Sequence, residues 1–388
     1  MKIIKTENNI IKSWCENPEE GAIEQARIVA DLPFVKGHLV LCPDTHFGFD
    51  MPIGGVVCCH QVIVPTFVGV DISCGMLAVK TSLTEISQEQ IKKIFGGSKE
   101  NQGGIRTKVP VGMNHHSKKQ EHPIFEDPRW DKTIIAKSQL ESARSQIGTL
   151  GGGNHFCEIQ KGDDGHIWFM IHSGSRNVGF KVANYYIDEA KKLAQRWHSK
   201  SSIGFLPIQE KIAEDYIREM KLCSDFALAN RKLMSDRIKE SFLEVIDCTF
   251  DEEINIHHNY ATIENHNGQN LWIHRKGATS AKEGELGIIP GSQGTASYIV
   301  KGKGNKESYM SCSHGSGRTM SRTRAKSELN LEEEQEILNK QGIVHNIRNI
   351  QDLDEASSAY KDISIVMEEQ KDLVDIIVKL SPLGVIKG

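Results

Sequence analysis

Apolar residues along this chain fall into two regimes, and each predicts a different kind of element. Over much of its length they form short β-branched or aromatic runs, such as Gly54-Gly55-Val56-Val57-Cys58-Cys59-His60-Gln61-Val62-Ile63-Val64 and His166-Ile167-Trp168-Phe169-Met170-Ile171. Runs of this length and composition, bounded by turn residues, read as strands. Between such runs glycine gathers in clusters at Gly54-Gly55, Gly69 to Gly75, Gly148 to Gly153, Gly174 to Gly179, Gly284 to Gly294 and Gly302 to Gly317. Clustered glycine frees the backbone to reach positive φ and lets a ligand approach N–H groups closely. Loops of this kind, at strand ends, are expected to wall a site.

From about Lys181 to Val245 the period changes. Val182, Tyr186, Ala190, Leu193 and Trp197 recur at three- and four-residue spacing, and Ile208 to Leu243 contains no glycine, which predicts long helices. The stretch Ser199 to Gly204, followed by Pro207, separates the two helical runs. Their apolar stripe is expected to be core packing rather than a binding face. Asn330 before Leu331-Glu332-Glu333-Glu334 supplies a capping residue and first-turn acids, so Leu331 to Lys340 is expected to be helical. A last helix is expected over Ile363 to Leu380. The predicted fold is α+β, a β-rich core of mixed sheets with peripheral helices and a helical insertion at about 181–245. No internal repeat or long linker divides the chain, so residues 1–388 are expected to form one domain.

Composition narrows the function classes. The 388 residues are 38% hydrophobic and 25% charged, as in a soluble globular protein. No window approaches the ~18 uninterrupted apolar residues of a membrane span, and Met1 to Asn8 has no apolar signal core. Nine cysteines without a repeated spacing do not form a disulfide framework. A reducing, cytoplasmic setting with no membrane association is expected. The net charge of −4 makes the whole molecule no electrostatic magnet for nucleic acid. Locally, Arg318-Thr319-Met320-Ser321-Arg322-Thr323-Arg324-Ala325-Lys326 carries four cations and no acid, either a phosphate track or a solvated helix face.

The candidate chemistry centres on Gly69-Val70-Asp71-Ile72-Ser73-Cys74-Gly75, where a carboxylate and a thiol stand three residues apart. A hard oxygen paired with a soft sulfur is an odd choice for structural zinc, which favours Cys and His sets at short spacing. Taken alone, the pair reads more simply as a buried Cys beside a turn Asp than as a ligand pair. Its nearest candidate partners are the histidines of Gly153-Asn154-His155, Ile171-His172-Ser173 and His257-His258-Asn259, so far apart that only the fold could assemble them. A second focus is Ser311-Cys312-Ser313-His314-Gly315-Ser316-Gly317-Arg318, an accessible imidazole followed by a guanidinium that suits phosphate oxygens. The loop Ile289-Pro290-Gly291-Ser292-Gln293-Gly294-Thr295 could cradle phosphate through backbone N–H groups. Neither GxxxxGK[ST] nor a GxGxxG fingerprint in strand-helix context is present.

The ordered set Cys42-Pro43-Asp44-Thr45-His46-Phe47-Gly48, the Asp71/Cys74 turn, Leu150-Gly151-Gly152-Gly153-Asn154-His155-Phe156, His172-Ser173-Gly174-Ser175-Arg176, His258-Asn259, Pro290-Gly291-Ser292, Ser313-His314-Gly315 and the terminal Val385-Ile386-Lys387-Gly388 resembles the RtcB RNA ligase family. The resemblance runs from about residue 30 to the last. It implies an enzyme that joins RNA ends bearing a 3′-phosphate or 2′,3′-cyclic phosphate to 5′-hydroxyl ends, in RNA repair or tRNA splicing, using GTP and two Mn²⁺ ions, and acting as a monomer. By the same resemblance Cys74 would bridge the two ions, one also held by His155 and His172, the other by Asp71 and His258. The family's His-Asn pairing selects His258 over His257.

The resemblance further makes His314 the guanylylated nucleophile and Asp44 its orienting carboxylate. Asn154, Arg176 and Arg318 would contact phosphates of nucleotide or RNA. Glu158, Pro290, Gly291, Ser292, Ser297, Gly315, Tyr360 and Lys387 would surround the guanosine. Gly152, Gln293 and Ser316 depart from the commoner family pattern without removing any of these residues. Two other readings stand beside the ligase. A two-metal phosphoesterase would share the ligands but have no use for an exposed His314, and a non-ligating RNA-binding relative would be expected to lack a ligand or the nucleophile.

Overall fold

The computed structural model describes residues 1–97, 103–196 and 202–388, and its described strands form two large sheets. The first has six strands in the order Lys2–Lys5, Ile10–Ser13, Val35–His46, Ile53–Cys59, Gln269–Lys276 and Asn259–His266. All its pairs are antiparallel except Ile10–Ser13 with Val35–His46. The second has seven antiparallel strands in the order Phe250–His257, Gly75–Thr81, Ile167–Ser173, Phe156–Gly162, Val374–Lys387, Ser297–Gly302 and Leu286–Ile289. The mixture of helices and sheets is the expected α+β class.

Central position explains why Ile167–Ser173 is buried at every residue. With side chains alternating between faces, Ile167, Phe169 and Ile171 pack with Leu77, Val79, Ile238 and Phe242 on one side. Trp168 and Met170 pack with Met76, Ala78 and Ile299 on the other. Each such side chain contributes about 1.5–3 kcal/mol on burial, so this strand is a fixed rail for the His172 it carries at its end.

Helices Arg176–Arg196 and Lys211–Leu243 occupy the interval between the strands Ile167–Ser173 and Phe250–His257. Val182, Tyr186 and Ala190 meet Tyr216, Met220 and Phe226 in one core, with Leu193 packed against its edge, so the stripe is packing as expected. Trp197 and the start of the Ser-rich stretch lie outside the described residues. Farther along the longer helix, Met234, Ile238 and Phe242 cover the seven-stranded sheet. Helix Leu331–Lys340 starts where expected, its Asn330 side chain accepting from the amides of Glu332 and Glu333, a cap contributing about 1 kcal/mol.

The last expected helix is corrected. Only Ile363–Glu369 is helical, and Val374–Lys387 is a 14-residue strand. The run Val374-Asp375-Ile376-Ile377-Val378 is rich in β-branched residues, and it sits between Ser297–Gly302 and Phe156–Gly162, both of which pair with it. Long-range pairing outweighs a local apolar spacing that suits either element. The consequence is functional, because a strand extends the chain far enough to bring Lys387 opposite Phe156, next to Glu158. No helix among the described residues is long and apolar enough to cross a membrane.

Candidate active site

The Asp71 to Cys74 segment is a tight turn, closed by the Cys74 amide donating to the Asp71 carbonyl at 3.1 Å. Ser73 takes a left-handed φ of 57°, and the buried Arg231 donates to its carbonyl from Nη1 at 3.1 Å. Asn259 clamps the turn from outside through Nδ2 to the Asp71 carbonyl at 3.2 Å. Gly75 is required here, since a methyl group at that position would strike the Ile256 carbonyl oxygen of the paired strand. That close approach lets the His258 amide donate to the Cys74 carbonyl at 2.9 Å. The residues expected to share a metal are therefore tied together first through backbone.

Five donor side chains converge. Cys74 Sγ lies 3.4 Å from His155 Nε2 and 3.2 Å from His172 Nε2. His172 Nε2 lies 3.3 Å from His258 Nε2, and His155 Nε2 lies 3.1 Å from Asp71 Oδ2. The donors fall into two triads with Cys74 in common, Asp71/Cys74/His155 and Cys74/His172/His258. Cys74 is common to both triads, and the other four donors divide as Asp71 with His155 and His172 with His258, where the resemblance implies His155 with His172 and Asp71 with His258. His257 is turned away, its Nδ1 accepting from Arg231 Nη2 at 3.2 Å. Adjacent strand residues face opposite sides, so only His258 joins the cluster.

The chemistry of this donor set fits a cation. His172 donates from Nδ1 to the Asn154 carbonyl at 3.0 Å, which leaves a lone pair on Nε2 facing His258 and Cys74. His258 Nδ1 is buried without a hydrogen-bond partner. Lone pairs gathered this closely repel unless a proton or a metal sits among them. Burial and the Asp71 carboxylate push the Cys74 thiol well above its ordinary pKa, a preference that a bound divalent ion reverses. Burial would raise Asp71, but hydrogen bonding and charge from His155 bring it down to about 2, so a carboxylate stands ready as a hard ligand. Arg176 donates from Nη1 to His155 Nδ1 at 3.2 Å, behind the ring and away from the cavity lining. Arg176 thus stands beside His155 rather than on the cavity wall.

About 5 Å farther, ring centroids of His258 and His314 stand 4.9 Å apart. His314 donates from Nδ1 to Asp44 Oδ2 at 2.6 Å, and the amides of His314 and Gly315 donate to the same oxygen at 3.0 and 3.2 Å. Asp44 is fully buried, which would raise its pKa, but the charge and hydrogen bond of His314 hold it below the ordinary value. Its loop is braced by Lys361, whose Nζ donates to the carbonyls of Pro43 and Thr45. With Nδ1 engaged, His314 keeps its Nε2 lone pair for an electrophile. This is the geometry of an oriented nucleophile.

Both features open into one cavity of about 810 Å³, lined by His314, Cys74, Asn154, Glu158, Ser292, Tyr360 and Lys387 among others. Pro290, Gly291, Gly315 and Arg318 also line it. Ser297 does not; it is buried one layer behind, where its Oγ accepts from the Gly291 amide at 3.1 Å. Glu158 Oε1 is buried without a partner, while Oε2 accepts from Gln160 at 2.9 Å. Burial raises the Glu158 pKa strongly, against the lowering effect of Lys387. A buried unsatisfied carboxyl oxygen is costly, and it is the kind of group that a ligand bearing N–H donors would satisfy.

Glu355 is a site residue that the sequence reading missed. Its carboxylate accepts from Arg318 Nη1 at 3.1 Å, from Arg322 Nε at 2.7 Å and from the Tyr360 hydroxyl. Arg318 also donates to the Asp354 carbonyl at 2.7 Å, so its guanidinium is braced as well as charged. Gln293, one of the departures from the family pattern, holds this loop by donating to the Glu355 carbonyl at 2.8 Å. No motif of spacing marks Glu355, because its two cationic partners lie 33 and 37 residues away along the chain. Glu355→Gln is expected to cost about 1–3 kcal/mol by leaving these cations unpaired. Urea unfolding measures it, and an unchanged midpoint would show that Arg318 and Arg322 are held by other contacts.

Known proteins match this chain over nearly its whole length. Residues 25–388 match the family model described as tRNA-splicing ligase RtcB. The chain is 34% identical to the RNA-splicing ligase RtcB of Escherichia coli K12, over all of this chain and 99% of that protein. It is 30% identical to the tRNA-splicing ligase RtcB of Methanococcus maripaludis, over 96% of this chain and 92% of that protein.

Proposed function

The chain belongs to the RtcB family, and on that premise we propose that it is an RNA ligase that joins 3′-phosphate or 2′,3′-cyclic phosphate ends to 5′-hydroxyl ends, using GTP and two Mn²⁺ ions. The observation that carries this reading is His314, oriented by Asp44 and facing the cavity that is also lined by Asp71, Cys74, His172 and His258 of the donor cluster. A phosphoesterase needs the cluster alone. A nucleotide-activated ligase needs both.

In this proposal Cys74, common to both donor triads, would serve both ions, and Asp71, His155, His172 and His258 would complete their ligand sets. Bound there, the ions would polarise phosphate oxygens and stabilise attacking and leaving groups. His314 Nε2 attacks the α-phosphorus of GTP, forming a P–N bond as pyrophosphate leaves, while Asp44 supports the positive charge on the ring. An RNA 3′-phosphate oxygen then attacks the same phosphorus and the P–N bond breaks. The 5′-hydroxyl oxygen finally attacks the 3′-phosphorus, and GMP departs. A cyclic phosphate is opened by water before the GMP transfer. Glu158 and Lys387 flank the guanine position, where Glu158 would accept from the N1–H and N2–H donors that adenine lacks. Arg318 and Asn154 contact phosphates.

Incubation with a 3′-phosphate RNA, a 5′-hydroxyl RNA, GTP and Mn²⁺ is expected to give the joined strand with one pyrophosphate and one GMP released per joint. Loss of the terminal phosphate without joining would establish the phosphoesterase instead.

A further inference from the structure

Two aromatic rings stand at the cavity mouth without a packing reason to face solvent. Phe47 and Phe49 are 58% and 55% exposed, and both line the cavity. They flank Gly48 in the connection between the strands Val35–His46 and Ile53–Cys59. This connection is tied down at several points. The Gln25 side chain donates to the Gly48 carbonyl and accepts from its amide, the Met51 amide donates to the Phe49 carbonyl at 2.8 Å, and Lys276 Nζ donates to the same carbonyl.

Each ring meets a neighbour on one side. Phe47 rests on Gly21, where a methyl group would come within 3.0 Å of Cδ2. Lys191 Nζ lies 5.1 Å from the centroid of the Phe49 ring. A loop held this firmly presents aromatic surface at low entropic cost, although leaving each ring half exposed forgoes about 1 kcal/mol of burial. Arg322, Arg324 and Lys276 line the same cavity, Arg322 paired with Glu355 and Arg324 with Glu328. Fixed aromatic faces beside cations form the surface on which unpaired bases stack while the backbone is neutralised.

We propose that Phe47 and Phe49 form a stacking platform for the unpaired nucleobases adjoining the RNA break, which positions the strand end toward His314. The assignment rests on the ligase reading for its substrate. It differs from that reading in concerning the bases, which the reacting phosphate and hydroxyl groups do not involve.

Fluorescence anisotropy with a short single-stranded 5′-hydroxyl RNA tests it. Phe47→Ala and Phe49→Ala are each expected to weaken binding about 5- to 100-fold, and Phe49→Trp to restore it. The dependence of log Kd on log salt should keep its slope, because neither ring neutralises a phosphate. Independently of any variant, wild-type protein should lose the same factor when the terminal bases of the RNA are replaced by abasic sites. Unchanged affinity in the double variant or on the abasic RNA would overturn the platform, as would a protein ligand being the only partner whose binding the variants weaken. Labelling of wild-type protein with radioactive GTP separates the two ideas. Base-dependent binding without labelling would retire the ligase reading, and labelling without base dependence would retire the platform.

Discussion

His314→Ala is expected to abolish covalent labelling by α-phosphate-labelled GTP and to lower RNA joining by at least about 10³-fold, the scale on which removing a catalytic nucleophile acts. The label on wild-type protein should be acid-labile and sensitive to hydroxylamine, as a phosphoramidate is. The geometry fixes why no neighbour can substitute. His258 has its ring 4.9 Å from His314, but its Nε2 is turned into the donor cluster toward His172. His46 donates from Nδ1 to the Asp44 carbonyl at 2.9 Å, and burial brings its pKa down to about 4. Asp44→Asn offers a finer test. The amide keeps the shape yet lets the ring adopt the wrong tautomer, so labelling should slow by about 10²–10⁴-fold rather than vanish. Label retained in His314→Ala would overturn the nucleophile assignment.

Cys74→Ala is expected to lower the bound Mn²⁺ from two ions per chain to one or none, and joining by more than about 100-fold, since even outer partners of metal ligands cost 10- to 100-fold. The magnitude follows from position. Cys74 Sγ is the atom common to both donor triads, so its removal subtracts a ligand from each ion at once. His258→Ala subtracts from one triad only and should spare the other ion. Metal analysis after gel filtration reads both variants. An unchanged count of two in Cys74→Ala would remove the bridge, whatever happened to activity.

Much of the site was legible in the order of motifs. Asp71, Cys74, His155, His172 and His258 carry ligand chemistry in their residue types, and His314 stands out because small neighbours leave an imidazole accessible. The surroundings of Arg176 and Ser297 were not legible. Both are polar residues near glycine turns in sequence, yet one stands beside His155 and the other accepts from the Gly291 amide in a buried layer. Glu355 was invisible because its meaning lies in Arg318 and Arg322, 37 and 33 residues away, which only the fold brings around it. The strand Val374–Lys387 was misread because a β-branched apolar run fits a helix or a strand until its neighbours are known.

By itself the sequence determined the fold class, the long helices, the capped start at Asn330 and the set of residues able to ligate metal or attack phosphorus. These follow from local chemistry, namely side-chain period, caps and donor type. The tertiary structure decided which donors share Cys74, which face of the His257-His258 pair points inward, that Asp44 reaches His314, and that Lys387 comes beside Glu158. Each of these depends on strand register between segments tens to hundreds of residues apart, and a one-residue change of register would turn every side chain to the opposite face.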